Sequence, residues 1–207
     1  MQLIDFHTHI YPDAIAHKAA QSVRDFYNIG DAHYDGTVTD LLQCMEKTGT
    51  QRSIVLPVGM KPETVRRVNA FAASQMAQHP EFTAFGTVHA AMKDLEEEVE
   101  TIEKLGLRGI KLHPDSQLFP VDDIRLYPMY DRIQGKLPVM IHMGEHGRNY
   151  SHPVRLRKIL DAFPRLQVIA AHFGGYAMYE IAYDCLKDTQ CVFDISSSLM
   201  FMPQGKP

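Results

Sequence analysis

The sequence predicts an α/β fold, a (β/α)8 TIM-type barrel that lacks its eighth strand in this chain. Short apolar, β-branched segments recur along the 207 residues, and helix-length segments separate them. Each interval has room for one helix and two short loops. The glycine-rich phosphate turn of a dinucleotide-binding sheet is absent after the first strand, where His7-Thr8-His9 stands instead. A barrel is therefore favoured over a doubly wound open sheet.

Seven segments are predicted as strands, and their starts lie 24 to 50 residues apart. Each combines apolar and β-branched residues over a length typical of a strand. The predicted strands are Gln2–Ile10, Arg52–Val58, Phe82–Val88, Leu107–His113, Leu137–Met143, Leu166–His172 and Gln190–Ile195.

Helix signals occupy the intervals between these strands. Thr37 and Asp40 form a capping-box pattern, and Gly49 suits the left-handed residue that ends the same helix. The segments Lys61–Gln78 and Asp94–Leu105 carry apolar residues at helical spacing, and the glutamates of the second are expected to form a solvated face. Further helices are predicted within Tyr11–Gly36, Ser151–Phe163 and Tyr176–Leu186, with Ser151 opening the second of them.

Composition excludes several classes of protein. Lys and Arg number 21 against 25 Asp and Glu, a net charge of −4 with no basic cluster, so no nucleic-acid partner is expected. No uncharged apolar run approaches the roughly 18 residues of a membrane span, and His7 and His9 interrupt the core that a signal peptide would need. We expect a single cytoplasmic domain over residues 1–207, C-terminally truncated, with no membrane partner.

Histidine is the one unusual count, with 11 in the chain. Asp5, His7 and His9 alternate along strand one, so their side chains share one face near its end. A single His-x-His is as compatible with a structural role as with a site, but three later strands also finish in histidine. The carboxyl ends of barrel strands open onto the active-site mouth, and imidazole suits zinc and similar divalent ions. The side chains expected around one cavity are His7, His9, Lys111, His113, His142 and His172.

Four motifs resemble those of the amidohydrolase superfamily, and most closely its amidohydrolase-2 branch, which includes aminocarboxymuconate-semialdehyde decarboxylase-like enzymes. The motifs are Asp5–Pro12, Gly109–Pro114, His142–Gly144 and Ala171–Gly175, in the same order and register. The resemblance runs from the first strand to the last residues. It implies a metal-dependent TIM barrel that uses a divalent ion, zinc in our reading, with manganese, iron or cobalt as alternatives.

The resemblance also implies roles for individual residues. His7 and His9 would be strand-one metal ligands, His142 the strand-five ligand, and His172 a strand-six ligand or a catalytic group. Lys111 takes the catalytic position where some members carry a carboxylated, metal-bridging lysine. The alternative is an unmodified lysine that pairs with a carboxylate or orients the substrate.

Residues around the expected mouth are candidates for substrate binding. Tyr11 follows strand one, His113 ends strand four, and Glu145, His146 and Arg148 follow strand five. Arg148 could hold a substrate carboxylate through a bidentate contact, or it could be an exposed loop charge.

One family feature has no counterpart in the sequence. Members end with an eighth strand whose aspartate binds metal and acts as a base, and no such segment occurs here. Asp194 fits the seventh strand of the family, so we do not assign it that role. We expect either truncation or an unusual closure of the barrel. Open strand edges also invite pairing with another chain, so a homo-oligomer is one expectation.

The leading functional hypothesis is hydrolysis of an amide, ester or lactone of a small molecule by a metal-activated water. His172 would polarise the substrate or stabilise the oxyanion. The alternatives are a metal-dependent non-oxidative decarboxylase or hydratase of a small carboxylate, an inactive truncated barrel, and a phosphoesterase of the polymerase-and-histidinol-phosphatase type. The last also opens with His-x-His, but the later motifs fit it poorly.

Overall fold

The structure is a computed structural model that describes residues 3–28, 34–145, 147–176 and 178–198. Gln2, at the start of the first predicted strand, and His146, in the predicted mouth, lie outside these ranges. Strands and helices alternate along the described residues, and every strand pair is parallel. This arrangement confirms the predicted fold class.

The described residues contain eight strands in two sheets. Their bounds are β1 (Leu3–Thr8), β2 (Thr50–Val55), β3 (Phe82–Ala84), β4 (Gly86–Thr87), β5 (Ile110–Leu112), β6 (Val139–Ile141), β7 (Val168–Ala170) and β8 (Val192–Phe193). The first sheet has the order β1-β2-β3, and the second has the order β4-β5-β6-β7-β8. Within these residues β1 and β8 do not pair, so the barrel is not closed between them.

The segment Phe82–Val88 was predicted as one strand, but it forms two. The division falls at Phe85, whose N–H donates to Val55 O of the first sheet at 3.0 Å, while Gly86 N–H donates to Gly109 O of the second at 2.8 Å. A Cβ on Gly86 would lie 2.8 Å from the Ile102 side chain, so a larger residue at this point would have to displace Ile102. One residue therefore connects the two sheets.

Eight α-helices lie in the described residues, besides three short 3-10 helices. Their bounds are α1 (Asp13–Tyr27), α2 (Val38–Thr48), α3 (Val65–Gln78), α4 (Leu95–Lys104), α5 (Pro114–Gln117), α6 (Tyr127–Ile133), α7 (Pro153–Ala162) and α8 (Tyr179–Leu186). None of them combines the length and apolar character that a membrane crossing requires.

The helix ends confirm one prediction and correct another. Thr37 Oγ1 accepts from Asp40 N at 3.0 Å, and Gly49 ends α2 with φ 72°, as predicted. Helix α7, however, is capped by His152, whose Nδ1 accepts from Val154 N at 3.2 Å. Ser151, the predicted cap, is buried and bonded elsewhere.

The predicted solvated face of α4 is wrong at Glu98, which is fully buried. Its carboxylate accepts from Asn69 Nδ2 at 2.7 Å and from Arg66 Nε at 3.3 Å. The Asn69 amide also bonds both backbone groups of Thr87, in β4. Helical periodicity identifies the faces of α4, but it does not reveal which polar residues of α3 will meet them.

The second sheet forms the buried centre of the molecule. All residues of β5 and β6 are buried, and helices α4, α6 and α7 contribute buried side chains to the same core. Leu112 pairs with Ile141, and Ile141 pairs with Ala170. The residues that follow these three positions therefore emerge side by side at one edge of the sheet, and His113 and His142 are two of them.

Candidate active site

A cavity of about 520 Å³ lies at the carboxyl ends of the strands. This volume is within the usual range for small-molecule sites, roughly 300–1,000 Å³. Six of the sequence-predicted site residues line it, whereas Lys111 and Arg148 are not among its lining residues. The six are His7, His9, Tyr11, His113, His142 and His172.

His7, near the end of β1, is held by a carboxylate that follows β8. Asp194 Oδ2 lies 2.7 Å from His7 Nδ1, while Asp194 Oδ1 accepts from His172 N at 3.0 Å and from Ser196 N and Oγ at 2.9 and 2.7 Å. Burial alone would raise the pKa of Asp194, but these hydrogen bonds outweigh it and hold the pKa below its usual value. An ionised carboxylate only accepts, so His7 Nδ1 carries the proton and Nε2 keeps a lone pair.

His9 and His172 are oriented by backbone carbonyls. His9 Nδ1 lies 2.6 Å from Leu56 O, and His172 Nδ1 lies 2.7 Å from Ser196 O. Because a carbonyl can only accept, both Nδ1 atoms are the donors. Burial lowers the pKa of both rings, that of His9 to about 4, so they are neutral at pH 7 with the lone pair on Nε2.

His142 completes a chain of histidines. Its Nδ1 lies 3.1 Å from His172 Nε2, and because that atom holds a lone pair, His142 Nδ1 donates. His142 Nε2 therefore keeps its own lone pair. Glu145 Oε2, which is also an acceptor, lies 3.3 Å from it, and the two atoms form no hydrogen bond. Burial also lowers the pKa of His142. Three Nε2 lone pairs do not accept a hydrogen bond from another histidine. They belong to His7, His9 and His142.

Lys111 lies beneath the histidines in the middle of β5. The side chain is fully buried, and Nζ lies 3.4 Å from His7 Nε2. Burial lowers its pKa to about 8, since the charged form loses its water. Lys111 therefore places a positive charge next to His7 at neutral pH.

His113 serves a different purpose from the other four histidines. Its Nδ1 accepts from Ser116 N at 3.3 Å at the start of α5, so the neutral ring carries its proton on Nε2. That Nε2 lies 2.8 Å from Tyr27 Oη, and the ring stacks on His142 with centroids 3.9 Å apart. His113 therefore holds Tyr27 against the cavity and has no free lone pair for a metal.

Two sets of candidate ligand atoms lie within 4.8 Å of one another in the described residues. The first, the Asp194 cluster, comprises His7, His172 and Asp194. Ser196 Oγ lies 2.8 Å from His7 Nδ1, 3.1 Å from His172 Nδ1 and 2.7 Å from Asp194 Oδ1. The Ser196 hydroxyl therefore bridges the three members of the cluster and helps to hold the two imidazole rings in place.

The second set, the Asp115 cluster, comprises His113, Asp115 and His142. Ser151 Oγ donates to the Asp115 carboxylate, and burial raises the pKa of Asp115. Asp115 Oδ1 is buried without a hydrogen bond among the described residues. The carboxylate of this cluster therefore does not orient either imidazole.

The Amidohydro_2 family model, described as amidohydrolase, matches residues 4–201. The chain belongs to this amidohydrolase family. No curated protein matches the chain in a sequence search.

Three solved structures share the fold of this amidohydrolase. An uncharacterized TIM-barrel protein from Bordetella bronchiseptica is 20% identical, with a TM-score of 0.79 over 98% of this chain and 78% of that one. A probable 2-pyrone-4,6-dicarboxylic acid hydrolase from Acinetobacter baumannii, with citric acid bound, is 16% identical, with a TM-score of 0.61 over 95% and 71%. Amidohydrolase 2 from Bifidobacterium longum subsp. infantis is 15% identical, with a TM-score of 0.57 over 95% and 73%. These similarities confirm the TIM-barrel prediction.

Arg148 is not among the residues that line the cavity, but it lies against Phe26, which is. Its guanidinium carbon lies 5.0 Å from the centroid of the Phe26 ring, and Nη1 donates to the Asp115 carbonyl at 2.6 Å. The role of Arg148 in binding a substrate carboxylate stays a prediction. Tyr11 lines the cavity, with its N–H bonded to Gly36 O at 2.8 Å.

Sequence reasoning missed two contributors to the site. Asp194 was predicted within the seventh strand and in the structure directly follows β8, but its bond to His7 joins residues 187 positions apart. Tyr27 lies in α1, and no local pattern shows which face of that helix meets the histidines. The clustering of Asp194, Ile195 and Ser196 after the last strand was the one available signal.

Proposed function

We propose that this amidohydrolase is a metal-dependent hydrolase that acts on an amide, ester or lactone of a small molecule. One observation carries the proposal: His7, His9 and His142 line one cavity, and each has its Nδ1 proton held by a protein acceptor, which leaves the Nε2 lone pair. The acceptors are a carboxylate, a backbone carbonyl and another imidazole.

The chemistry of these three side chains suits a divalent ion, which we take to be zinc. Among the described residues they are not one of the two sets whose ligand atoms lie within 4.8 Å of one another, so the three rings would have to draw together to hold the ion. Neutral imidazole is a preferred zinc ligand, and catalytic sites use three protein ligands with one position left open. Ligand histidines usually donate their other N–H to a carboxylate or carbonyl, as His7 does to Asp194 and His9 does to Leu56 O. When bound, such an ion lowers the pKa of water and polarises a carbonyl.

The remaining residues have roles that follow from their contacts. Lys111 supplies a buried positive charge behind His7, where it contacts His7 Nε2 and makes the potential at that end of the cavity more positive. Its pKa of about 8 also allows it to hold or release a proton near neutral pH. His172 orients His142 through a hydrogen bond. We therefore favour a supporting role for His172 over a role as the fourth metal ligand. Asp194 accepts four hydrogen bonds, and this supports an anchoring role for it.

A decarboxylase or hydratase is the second candidate, because the buried Lys111 charge next to His7 also favours an anionic substrate in the cavity. The hydrolase is favoured by the neighbour named a 2-pyrone-4,6-dicarboxylic acid hydrolase, since a 2-pyrone is a cyclic ester. We do not propose the dicarboxylic acid named for that neighbour as the substrate of this chain. A small-molecule substrate, a cytoplasmic location and a homo-oligomer stay predictions.

The proposal is tested by metal content and then by substrate screening. Purified protein should contain about one equivalent of zinc or another transition metal by plasma mass spectrometry, after incubation with zinc if necessary. Cyclic esters, amides and aromatic carboxylates are then offered with zinc or manganese. Acid release supports the hydrolase, whereas carbon dioxide evolution supports the decarboxylase. A folded, zinc-incubated sample without metal would contradict both.

A further inference from the structure

The chain that follows β6 brings a carboxylate back to a strand-end histidine. His142 directly follows the strand, and Glu145 comes three residues later. Gly144, between them, has a φ of 78°, and a Cβ at this position would collide with the backbone of Gly175. Glycine alone combines this left-handed conformation with such a close approach. Beyond this turn, Glu145 Oε2 lies 3.3 Å from His142 Nε2.

Backbone hydrogen bonds fix this turn on both sides. Gly144 N–H donates to Ser151 O at 3.1 Å and to Ser151 Oγ at 3.0 Å. Tyr176 N–H donates to Met143 O at 2.9 Å. The histidine and the glutamate of the pair are only 2% and 8% exposed. Their contact therefore belongs to the buried part of the site and not to its surface.

The two atoms that face each other are both acceptors. His142 Nδ1 donates to His172 Nε2, so the neutral His142 ring has no proton on Nε2. A carboxylate oxygen has no proton either, and two buried lone pairs at this distance repel each other. His142 Nε2 has no hydrogen-bond partner among the described residues, and such a buried group calls for an ion, a water or a proton.

The separation of 3.3 Å distinguishes a shared metal ion from a shared proton. A proton between an imidazole and a carboxylate forms a charge-assisted hydrogen bond, in which nitrogen and oxygen lie about 2.7–2.9 Å apart. Two ligands of one zinc ion each lie about 2.0–2.2 Å from the metal, so at coordination angles of about 90–120° they lie roughly 2.9–3.6 Å apart. The observed distance falls in the second range, and it favours the metal ion.

We propose that Glu145 is a further protein ligand of the metal centre, bound through its carboxylate alongside His7, His9 and His142. This inference rests on the proposed metal-dependent function and adds a ligand to it. His142 and Glu145 already have the spacing of two ligands, whereas the other two rings would have to draw toward them. The carboxylate also offsets positive charge of the ion, which neutral imidazoles leave uncompensated.

Asp115 provides the matched control, because it is the other buried carboxylate beside His142. Its ligand atom lies within 4.8 Å of that of His142, but Ser151 Oγ donates to the Asp115 carboxylate. The two aspartate and glutamate side chains therefore share their burial and their neighbour, and they differ in their distance from His142 Nε2.

Zinc affinity of Glu145→Gln and Asp115→Asn tests the proposal. Competition with a chelator gives the affinities, and thermal melts of the metal-free proteins establish that each variant is folded. We expect Glu145→Gln to bind zinc at least about tenfold more weakly than the unchanged protein, and Asp115→Asn to bind it nearly as well. A smaller loss in folded Glu145→Gln would overturn the proposal. Tighter binding would also overturn it, since a proton would then link the pair.

A crystal structure of the zinc-loaded, unsubstituted protein gives a second test that does not depend on the folding of a variant. We expect a Glu145 carboxylate oxygen about 2.0–2.2 Å from the ion. An ion held by the histidines with Glu145 outside its ligand set would overturn the proposal.

The two proposals fail in different ways. Unsubstituted protein that binds no metal after incubation with zinc would contradict the metal-dependent function, and the role of Glu145 with it. Zinc binding that is lost when His7 and His9 are replaced, but is unchanged in Glu145→Gln, would overturn the role of Glu145 alone.

Discussion

The Asp194 cluster and the Asp115 cluster differ in what their carboxylates do. In the first, Asp194 accepts a hydrogen bond from His7, and hydrogen bonds lower its pKa. In the second, Asp115 is bonded to Ser151, burial raises its pKa, and His113 and His142 stack on each other. A carboxylate beside an imidazole is therefore not sufficient to orient it, since a direct hydrogen bond is required.

The clusters also differ in how the chain assembles them. Asp194 and His7 are 187 residues apart, so their contact depends on the whole fold. His113 and Asp115 both lie at the start of α5, two residues apart. Each cluster contains one proposed ligand, His7 in the first and His142 in the second, but only His7 is hydrogen-bonded to the carboxylate of its cluster. We therefore expect variants of the Asp194 cluster to affect metal binding most.

The largest effect is expected when His7, a member of the Asp194 cluster, and His9 are removed together. His7→Ala combined with His9→Ala should abolish metal binding, because two of the three proposed ligands are lost. Apparent binding free energies of structural zinc sites are about 10–16 kcal/mol, so the loss should amount to several kcal/mol. Metal stoichiometry measures it, with the exposed His17→Ala as the matched control. A double variant that retains one equivalent would contradict the proposed ligand set.

Acidification tests a property that the two clusters share. Burial lowers the pKa of the four histidines in the two clusters, and it also lowers that of His9. For His9 the pKa falls from 6.5 to about 4. Between these pH values the unfolded chain binds protons that the folded chain does not, so stability falls as the pH falls. For His9 the loss should be about 3 kcal/mol.

Urea unfolding of metal-free protein at several pH values from 7.5 to about 4 measures this loss. His9→Gln should flatten the dependence on pH. An unchanged slope in that variant would show that the pKa of His9 is the same in the folded and the unfolded protein.

Exchanging the two carboxylates for amides compares the clusters directly. Asp194→Asn should weaken metal affinity about 10- to 100-fold, because loss of such an outer carboxylate disturbs ligand orientation and basicity. Asp115→Asn should leave the affinity nearly unchanged, since Asp115 bonds to Ser151 instead of a ligand histidine. Competition with a chelator gives both affinities. Equal losses in the two variants would remove the distinction between the clusters.

The smallest effect is expected at the hydroxyls that support the two carboxylates. Ser196→Ala removes one hydrogen bond to Asp194, and a loss of about 1 kcal/mol corresponds to roughly a fivefold decrease in metal affinity. Ser151→Ala should lower the free energy of unfolding without this effect on metal. Calorimetric titration together with urea unfolding separates the two outcomes. A larger affinity loss in Ser151→Ala would reverse the assignment.

Much of the site could be predicted from the sequence because strands impose a simple geometry. Alternation along β1 places His7 and His9 on one face, and parallel strands bring their carboxyl ends together, so the histidines were expected around one cavity. The hydrogen-bond partners of those rings were not predictable. Leu56 O, Asp194 and Ser196 reach them only through packing between distant segments.

The sequence by itself determined the repeated strand and helix units, the strand-end histidines and the amidohydrolase family, because these are properties of local spacing and short motifs. The tertiary structure alone decided which imidazole nitrogens keep a lone pair, that Glu98 is buried, that Phe82–Val88 divides into two strands, and that α1 lines the cavity. Those outcomes depend on which atoms meet across distances of tens to nearly two hundred residues. Local patterns describe the surface that a segment offers, and only the packed fold determines what that surface contacts.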